Sequence, residues 1–348
     1  MSSWLDELSA SITDLSELKK HLALTKEEEQ AFSYPDRTYF KITPHILKTI
    51  KNNDNDGRIR KQFIPSKIDT LTVPGFSKDY LCESNNEVCD NLIVRYPYKA
   101  ILLVTKRCPA YCQFCTRKRL VSDNSNVSTL DSAFLYLTNH PEIYDIVITG
   151  GDPLILEDYE LEFIFRKLRD IESIKFIRLN TRIPVTLPNR IDDNFIQLLE
   201  KYDINYISIH FEHPNELTEE TSAACLKLAN NGILLSSQTV LLNHINDDSE
   251  ILKRLFFNLL LIKVRPYYLY QCDKVDGCQS FYVSPYKGIM LINNIVDELP
   301  GLSIPRFVID APDEMGKITV APNGLIKIYD NHLLLKNFYN SKNYVYDM

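Results

Sequence analysis

No stretch of this chain is apolar for long enough to cross a bilayer. The most hydrophobic helical candidate runs only from Leu255 to Ile262, where a span needs about 20 residues. Basic residues do not cluster either. Lys and Arg gather only at Arg117-Lys118-Arg119 and the formal net charge is -7, so the footprint of a nucleic-acid surface is missing. The amino end, Met1 to Glu7, carries acid before any apolar run, unlike a secretory or transit leader. There is no internal repeat, no low-complexity segment, and no G-x-x-x-x-G-K or G-x-G-x-x-G frame to hold a nucleotide phosphate. Neither a membrane partner nor a nucleic-acid partner is expected.

What is present is globular in character. The 348 residues are 45% hydrophobic and 24% charged, enough for one large α/β domain with an appended segment, or for two ordinary domains. Eight cysteines without a leader point to a reducing compartment, where thiols serve metals or catalysis more often than disulfides. The expected location is cytoplasmic.

Along the chain, Leu5, Leu8, Ile12, Leu15, Leu18 and Leu22 recur at three- and four-residue steps, the stripe of an amphipathic helix. Helix starts fall at Thr13 to Glu17, Thr25 to Glu28 and Thr43-Pro44. Residues 58–98 read as irregular, with Cys82 and Cys89 as plain thiols. From residue 100 onward, β-rich runs at 100–106, 145–149, 174–180, 204–211, 233–241 and 264–270 alternate with helical patterns near 157–170, 191–201, 217–231, 248–261 and 284–298. Such alternation builds a parallel sheet with helices outside. Six βα units fall short of a closed eight-fold barrel. The expected architecture is an open, partial (βα)6 TIM-like barrel with active residues at the carboxyl ends of its strands. Expected segments are a helical and irregular extension at 1–94, the partial barrel at 95–300, and a carboxyl-terminal segment at 301–348.

The chemistry centres on Cys108-Pro109-Ala110-Tyr111-Cys112-Gln113-Phe114-Cys115, which follows the run Ala100 to Val104. Three thiols spaced C-x3-C-x2-C are one short of the four that an ordinary cubane takes. One iron is then left open, as the metal of a catalytic site keeps a free position. A zinc knuckle with a distant fourth ligand, or three buried thiols without metal, are the alternatives. Gly150, Gly151 and Asp152 end the second run, where absent side chains let backbone donors approach a ligand; a plain strand-to-helix turn is the alternative. Arg95 and Lys99 are two cations spaced to grip a phosphate, or ordinary surface cations. Lys317 is an amine suited to a Schiff base if desolvated, or a solvated side chain. Asp273 and Asp310 each follow a strand.

The cysteine spacing after a first strand resembles that of the radical S-adenosylmethionine enzymes, and Cys-Thr-Arg-Lys-Arg closing it is similar to the lysine 2,3-aminomutase branch. The resemblance runs from about Ile42 to Lys317. It implies a radical SAM type of partial barrel with a [4Fe-4S] cluster on Cys108, Cys112 and Cys115. It implies S-adenosyl-L-methionine against Gly150, Gly151, Asp152, His210 and Gln238. Pyridoxal 5′-phosphate would sit on Lys317, its phosphate near Arg95 and Lys99; the latter stands where the family has an arginine, keeping the charge and losing the fork. Arg117 would meet a substrate carboxylate, and Asp273 with Asp310 a side-chain ammonium. In the lysine loop, Asp313-Glu314-Met315 replaces the family's run of glycines.

The activity so implied is an isomerase moving the α-amino group of L-lysine to the β carbon, served by a reductant such as flavodoxin or ferredoxin. A homo-oligomer is compatible with it. The opening Trp4 to Leu8, the stretch Pro74 to Ser77 and the short tail resemble instead the branch that makes β-lysine for modifying elongation factor P, and arginine is an alternative substrate. A non-catalytic iron–sulfur electron carrier or sensor, and a cluster-free binding scaffold, are the rivals from other classes.

Overall fold

The computed structural model describes residues 3–34, 39–121, 127, 129–312, 315–329, 332–336 and 343–347. Asp313 and Glu314, which carry most of the departure from the lysine-loop pattern, lie outside the described residues.

One ten-stranded sheet follows chain order: β1 (Glu87–Cys89), β2 (Leu92–Tyr96), β3 (Lys99–Thr105), β4 (Asp145–Gly150), β5 (Phe176–Thr181), β6 (Tyr206–His210), β7 (Leu234–Leu241), β8 (Val264–Gln271), β9 (Arg306–Ala311) and β10 (Gly316–Ala321). Strands β3 to β9 pair parallel, each with the next. Antiparallel strands extend both ends of that run. The β-branched run Ile146-Val147-Ile148 is buried on both faces, as a central parallel strand requires.

Helices Asp131–Asn139, Asp158–Arg169, Asp193–Lys201, Glu219–Asn230, Ser249–Leu261 and Pro285–Ile295 make the six crossovers. Each buries one stripe against the sheet. In Asp158–Arg169 the stripe is Leu161, Ile164, Phe165 and Leu168, each side chain contributing about 1.5–3 kcal/mol. Its start is fixed by Glu157 and Glu160 in a reciprocal capping box.

The six strand runs expected from the sequence fall within or across β3 to β8, and β9 supplies a seventh parallel strand. The helix Asp131–Asn139 was not in the expected pattern, nor were β1 and β2, which occupy the end of a region that reads as irregular. Lys317, expected on a loop, lies on β10 opposite Asp310 of β9. The one sheet thus takes strands from all three segments that the sequence suggests, from Glu87 to Ala321.

β10 and β1 are not hydrogen-bonded to each other, so the sheet is open. Its ends nevertheless meet through side chains. Arg95 of β2 reaches Asp310 and Ala311 of β9, and the Tyr96 hydroxyl accepts from the Lys317 amide of β10 at 3.0 Å. This contact places the lysine strand beside the start of the barrel.

The amino-terminal region is not one amphipathic helix. It forms Trp4–Ser9, Leu15–His21, Lys26–Ala31 and Pro44–Asn53. Asp14 restarts the chain by accepting from the amides of Ser16 and Glu17 at 2.8 and 3.1 Å, and Ile12 instead bridges to Ile42. These helices bury Leu18, Ile42, Ile46, Ile50 and Phe63 in a core that takes in Ala110 and touches Cys112. The extension is a cap seated on the cysteine loop. Beyond β10 a separate antiparallel sheet comprises β11 (Leu325–Tyr329), β12 (His332–Lys336) and β13 (Asn343–Asp347). Among the described residues no helix is long and apolar enough to cross a membrane.

Candidate active site

Cys108, Cys112 and Cys115 lie just beyond β3, on a loop clamped from three sides. The Gln113 amide donates to the Gln62 carbonyl at 2.7 Å and its side chain to the Tyr39 carbonyl at 2.8 Å. From β4, the Gly151 amide donates to the Thr105 carbonyl at 2.7 Å and the Asp152 amide to the Arg107 carbonyl at 3.0 Å. The two glycines are there for this approach. A Cβ on Gly150 would stand 2.1 Å from the Thr105 oxygen, and one on Gly151 2.1 Å from the Arg107 oxygen. Gly150 also holds φ at +140°, a backbone shape that L side chains rarely adopt.

Asp152 is equally committed. Its carboxylate accepts from the Thr181 hydroxyl at 2.7 and 2.9 Å, the Arg182 amide at 2.7 Å and the Leu154 amide at 3.1 Å. Burial pushes its pKa up to about 6 against those bonds. It joins the end of β4 to the end of β5 and so fixes the floor under the cysteines.

All three thiols are pushed above the ordinary range by burial, Cys112 to about 11. None of the eight cysteines is in a disulfide. Beside Cys112 stands a residue the sequence reading passed over. The Arg182 guanidinium donates from Nη1 to the Cys112 sulfur at 2.8 Å. It also pairs with Glu216 at 3.0 Å, donates to Gln62, and lies against the rings of Phe63 and Phe114 at 4.8 and 5.3 Å. Its Nε is buried without a partner among the described residues.

A charged donor aimed at a buried sulfur favours the thiolate, and three thiolates at a strand's carboxyl end are a donor set for an iron–sulfur cluster. The residues present fit that group. Among the described residues no three His, Cys, Asp or Glu side chains gather on a single-ion site. Cubane ligands each take a different iron and need no such convergence.

A second group sits where β2, β9 and β10 meet. Lys317 donates from Nζ to Asp310 Oδ2 at 2.8 Å, and Arg95 donates from Nη1 to Oδ1 of the same carboxylate at 2.9 Å. Lys317 also stands 5.5 Å from the centre of the Tyr270 ring. Lys99 lies over the Tyr96 ring at 4.2 Å. Burial, then the nearby charges of Lys317 and Arg178, pull its pKa down to about 8. Asp145, which pairs with Lys99 across the strands, gives its carboxylate to Arg178 at 2.7 and 2.8 Å. Arg95, Lys99 and Lys317 thus gather three cations round Asp310. Such a pocket fits a phosphate-bearing aldehyde, the amine reacting and the other cations taking the anion.

Thr116 links the two groups. One residue past Cys115, its hydroxyl donates to Asp273 Oδ2 at 2.9 Å. Burial raises the Asp273 pKa to about 7, and the neighbouring Asp310 charge adds to the rise. Arg117 forks onto Glu83, with Nε and Nη2 at 2.7–3.1 Å from its oxygens, and donates from Nη1 to the Thr149 hydroxyl at 3.3 Å. Glu83 also takes Arg119 at 3.2 Å.

His210 ends β6 and is the register partner of Gln238, which lies within β7 and not at its end as the sequence suggests; His210 Nδ1 lies 3.2 Å from Glu212. Direct contacts therefore join Arg95, Asp310 and Lys317. Asp273 and Arg117 lie within electrostatic reach of Asp310, and His210 within reach of Asp152. Arg182, Glu216, Glu83, Thr116 and Tyr96 are the participants that sequence reasoning missed. Thr116 and Tyr96 adjoin residues singled out from the sequence, Glu216 lies six residues past His210, and Arg182 directly follows β5, all usable signals; Glu83 carried none.

The profile of the Radical SAM superfamily matches residues 102–255, and that described as Lysine-2,3-aminomutase matches residues 292–344. The L-lysine 2,3-aminomutase of Clostridium subterminale is 38% identical over 339 residues, spanning 96% of this chain and 82% of that protein. The L-lysine 2,3-aminomutase of Acetoanaerobium sticklandii is 37% identical over the same shares. The Glutamate 2,3-aminomutase of Clostridioides difficile is 34% identical over 95% of this chain and 79% of its own length.

Proposed function

The chain belongs to the lysine 2,3-aminomutase family of radical S-adenosylmethionine enzymes, and on that premise we propose that it converts L-lysine to β-lysine by moving the α-amino group to the neighbouring carbon. The observation that carries this reading is the Thr116–Asp273 hydrogen bond, which couples the cysteine loop to the carboxylates beside Lys317. Cys108, Cys112 and Cys115 would hold the cluster. Lys317, Arg95 and Lys99 would hold the pyridoxal phosphate, and Gly150, Gly151, Asp152, His210 and Gln238 would border the S-adenosylmethionine. When bound, the first and last of these groups supply a carbon-centred radical on one-electron reduction, and the pyridine ring spreads unpaired spin.

The protein's own part is positional and electrostatic. Asp310 accepts hydrogen bonds from Lys317 and Arg95 and so holds the lysine amine in place between β2 and β10. Tyr96 fixes the backbone of that lysine. Asp273 and Asp310 favour a substrate with a cationic end, because a desolvated ammonium needs opposite charge; a glutamate side chain would meet repulsion there. Arg117, already oriented by Glu83, would turn Nη1 toward the substrate carboxylate. The cap packs on the cysteine loop at Ala110 and Cys112 and would shield a cluster held there from water. A chain whose eight cysteines form no disulfide suits a reducing compartment such as the cytoplasm, where a low-potential carrier of the flavodoxin or ferredoxin class would supply the electron.

The test is product analysis. Anaerobically reconstituted protein is incubated with S-adenosylmethionine, pyridoxal phosphate, dithionite and, in separate tubes, L-lysine, L-arginine and L-glutamate. β-Lysine is the expected product, with no β-glutamate. A β-amino acid from arginine alone would reassign the substrate, and none from any tube would contradict the reading.

A further inference from the structure

One buried side chain, Arg182, reaches the Cys112 sulfur, and two more, Glu216 and Gln62, hold its guanidinium there. Arg182 is 6% exposed and Glu216 2%. The guanidinium has no rotational freedom to spare. Nη1 donates to the Cys112 sulfur at 2.8 Å, Nη2 donates to Gln62 and to Glu216 Oε1 at 3.0 Å, and the plane is held between Phe63 and Phe114. Glu216 in turn accepts from the Glu212 amide at 2.8 Å. Burial of a charged arginine with only one pairing carboxylate is costly. A fold keeps such an arrangement when the charge meets a further anion, and a cluster thiolate is one.

We infer that Arg182 is a positioning residue which sets the reduction potential of the cluster through Cys112, with Glu216 as its opposing charge; this rests on the function proposed above. Hydrogen bonds to ligand sulfurs and nearby charge are the main protein levers on such potentials. A donor and a positive charge at one thiolate stabilise the state that has gained an electron, so Arg182 raises the potential. Glu216, pairing with the same guanidinium, lowers it. The electron itself comes from an external one-electron donor. The buried Nε of Arg182, without a partner among the described residues, is one further donor that a cluster sulfide would satisfy.

The experiment is a redox titration of the reconstituted, full-length protein, followed by the electron paramagnetic resonance of the reduced cluster, for wild type, Arg182→Gln and Glu216→Gln. Arg182→Gln is expected to lower the midpoint by at least a tenfold change in the one-electron equilibrium, about 59 mV. Glu216→Gln is expected to raise it. Iron content and far-ultraviolet circular dichroism report whether each variant has folded and loaded. If Arg182→Gln does not load, the sign of the Glu216→Gln shift decides alone. Midpoints unchanged, or shifted in the same direction by both substitutions, would overturn the inference. A wild type that takes up no [4Fe-4S] cluster would instead defeat the functional reading beneath it.

Discussion

Asp273 carries a strong pH signature at the scale of single residues. Burial lifts its pKa from an ordinary 3.8 to about 7, so the folded chain holds this proton more tightly than the unfolded chain does. Its stabilising contribution is then complete below about pH 4 and is lost as pH rises toward and through 7. Asp273→Asn keeps an acceptor for Thr116 and removes the charge. We expect it to leave thermal stability unchanged at pH 4 and to raise it at pH 8, by about 2–4 kcal/mol at most given roughly 1.4 kcal/mol per pKa unit. The KM for lysine should rise at least tenfold, because a cationic substrate end loses one of its two carboxylates. Melting curves at the two pH values and steady-state kinetics check both halves. A variant less stable than wild type at pH 8 contradicts the electrostatic account. A site residue that costs stability is the usual compromise between folding and function.

Among the elements, the junction of β4 with the cysteine loop is the least forgiving. The Gly151 backbone lies so close to Arg107 that a single added methyl would overlap its carbonyl at 2.1 Å. Backbone on both sides leaves nothing flexible to yield. Gly151→Ala should therefore cost about 1–3 kcal/mol or more and displace the loop, so that iron bound after reconstitution falls well below that of wild type. Iron assay with a thermal melt measures this, and an alanine variant with full iron and an unchanged melting temperature would sink it.

The same junction shows what could be read in advance. Gly150-Gly151-Asp152 was recognisable as a special turn from its residue types and its place after an apolar run. Its reason was not, since the close approach joins residues 105–107 to 150–152, and only the assembled sheet brings them together. Leu5 to Leu22 misled for a related cause. The stripe fits a helix locally, yet Asp14 caps and Ile12 finds Ile42 across the chain. The run before Asp310 was legible as a strand, but β10 was not, because it follows β9 at once with no helical crossover between them, so Lys317 read as a loop residue. Strands β3 and β4 were legible because parallel strands buried on both faces write continuous apolar runs.

Over the whole molecule, the open sheet is drawn round until its two ends share one site. Arg95 and Tyr96 from the beginning of the barrel meet Asp310 and Lys317 from its end, more than 200 residues later in the chain. The cysteine loop closes the third side through Thr116. The candidate site residues were visible one by one in the sequence: three cysteines at fixed spacing, two carboxylates at or near strand ends, a lysine near the end. Their supports were not, because Glu83, Arg182 and Glu216 act only through contacts made by folding. The account depends above all on a cubane held by three protein thiolates and one exchangeable position. Mössbauer spectroscopy of protein reconstituted with iron-57, recorded with and without S-adenosylmethionine, addresses that directly. The prediction is that one iron of four changes its isomer shift when S-adenosylmethionine is added while three stay put; four irons that ignore it would contradict the account.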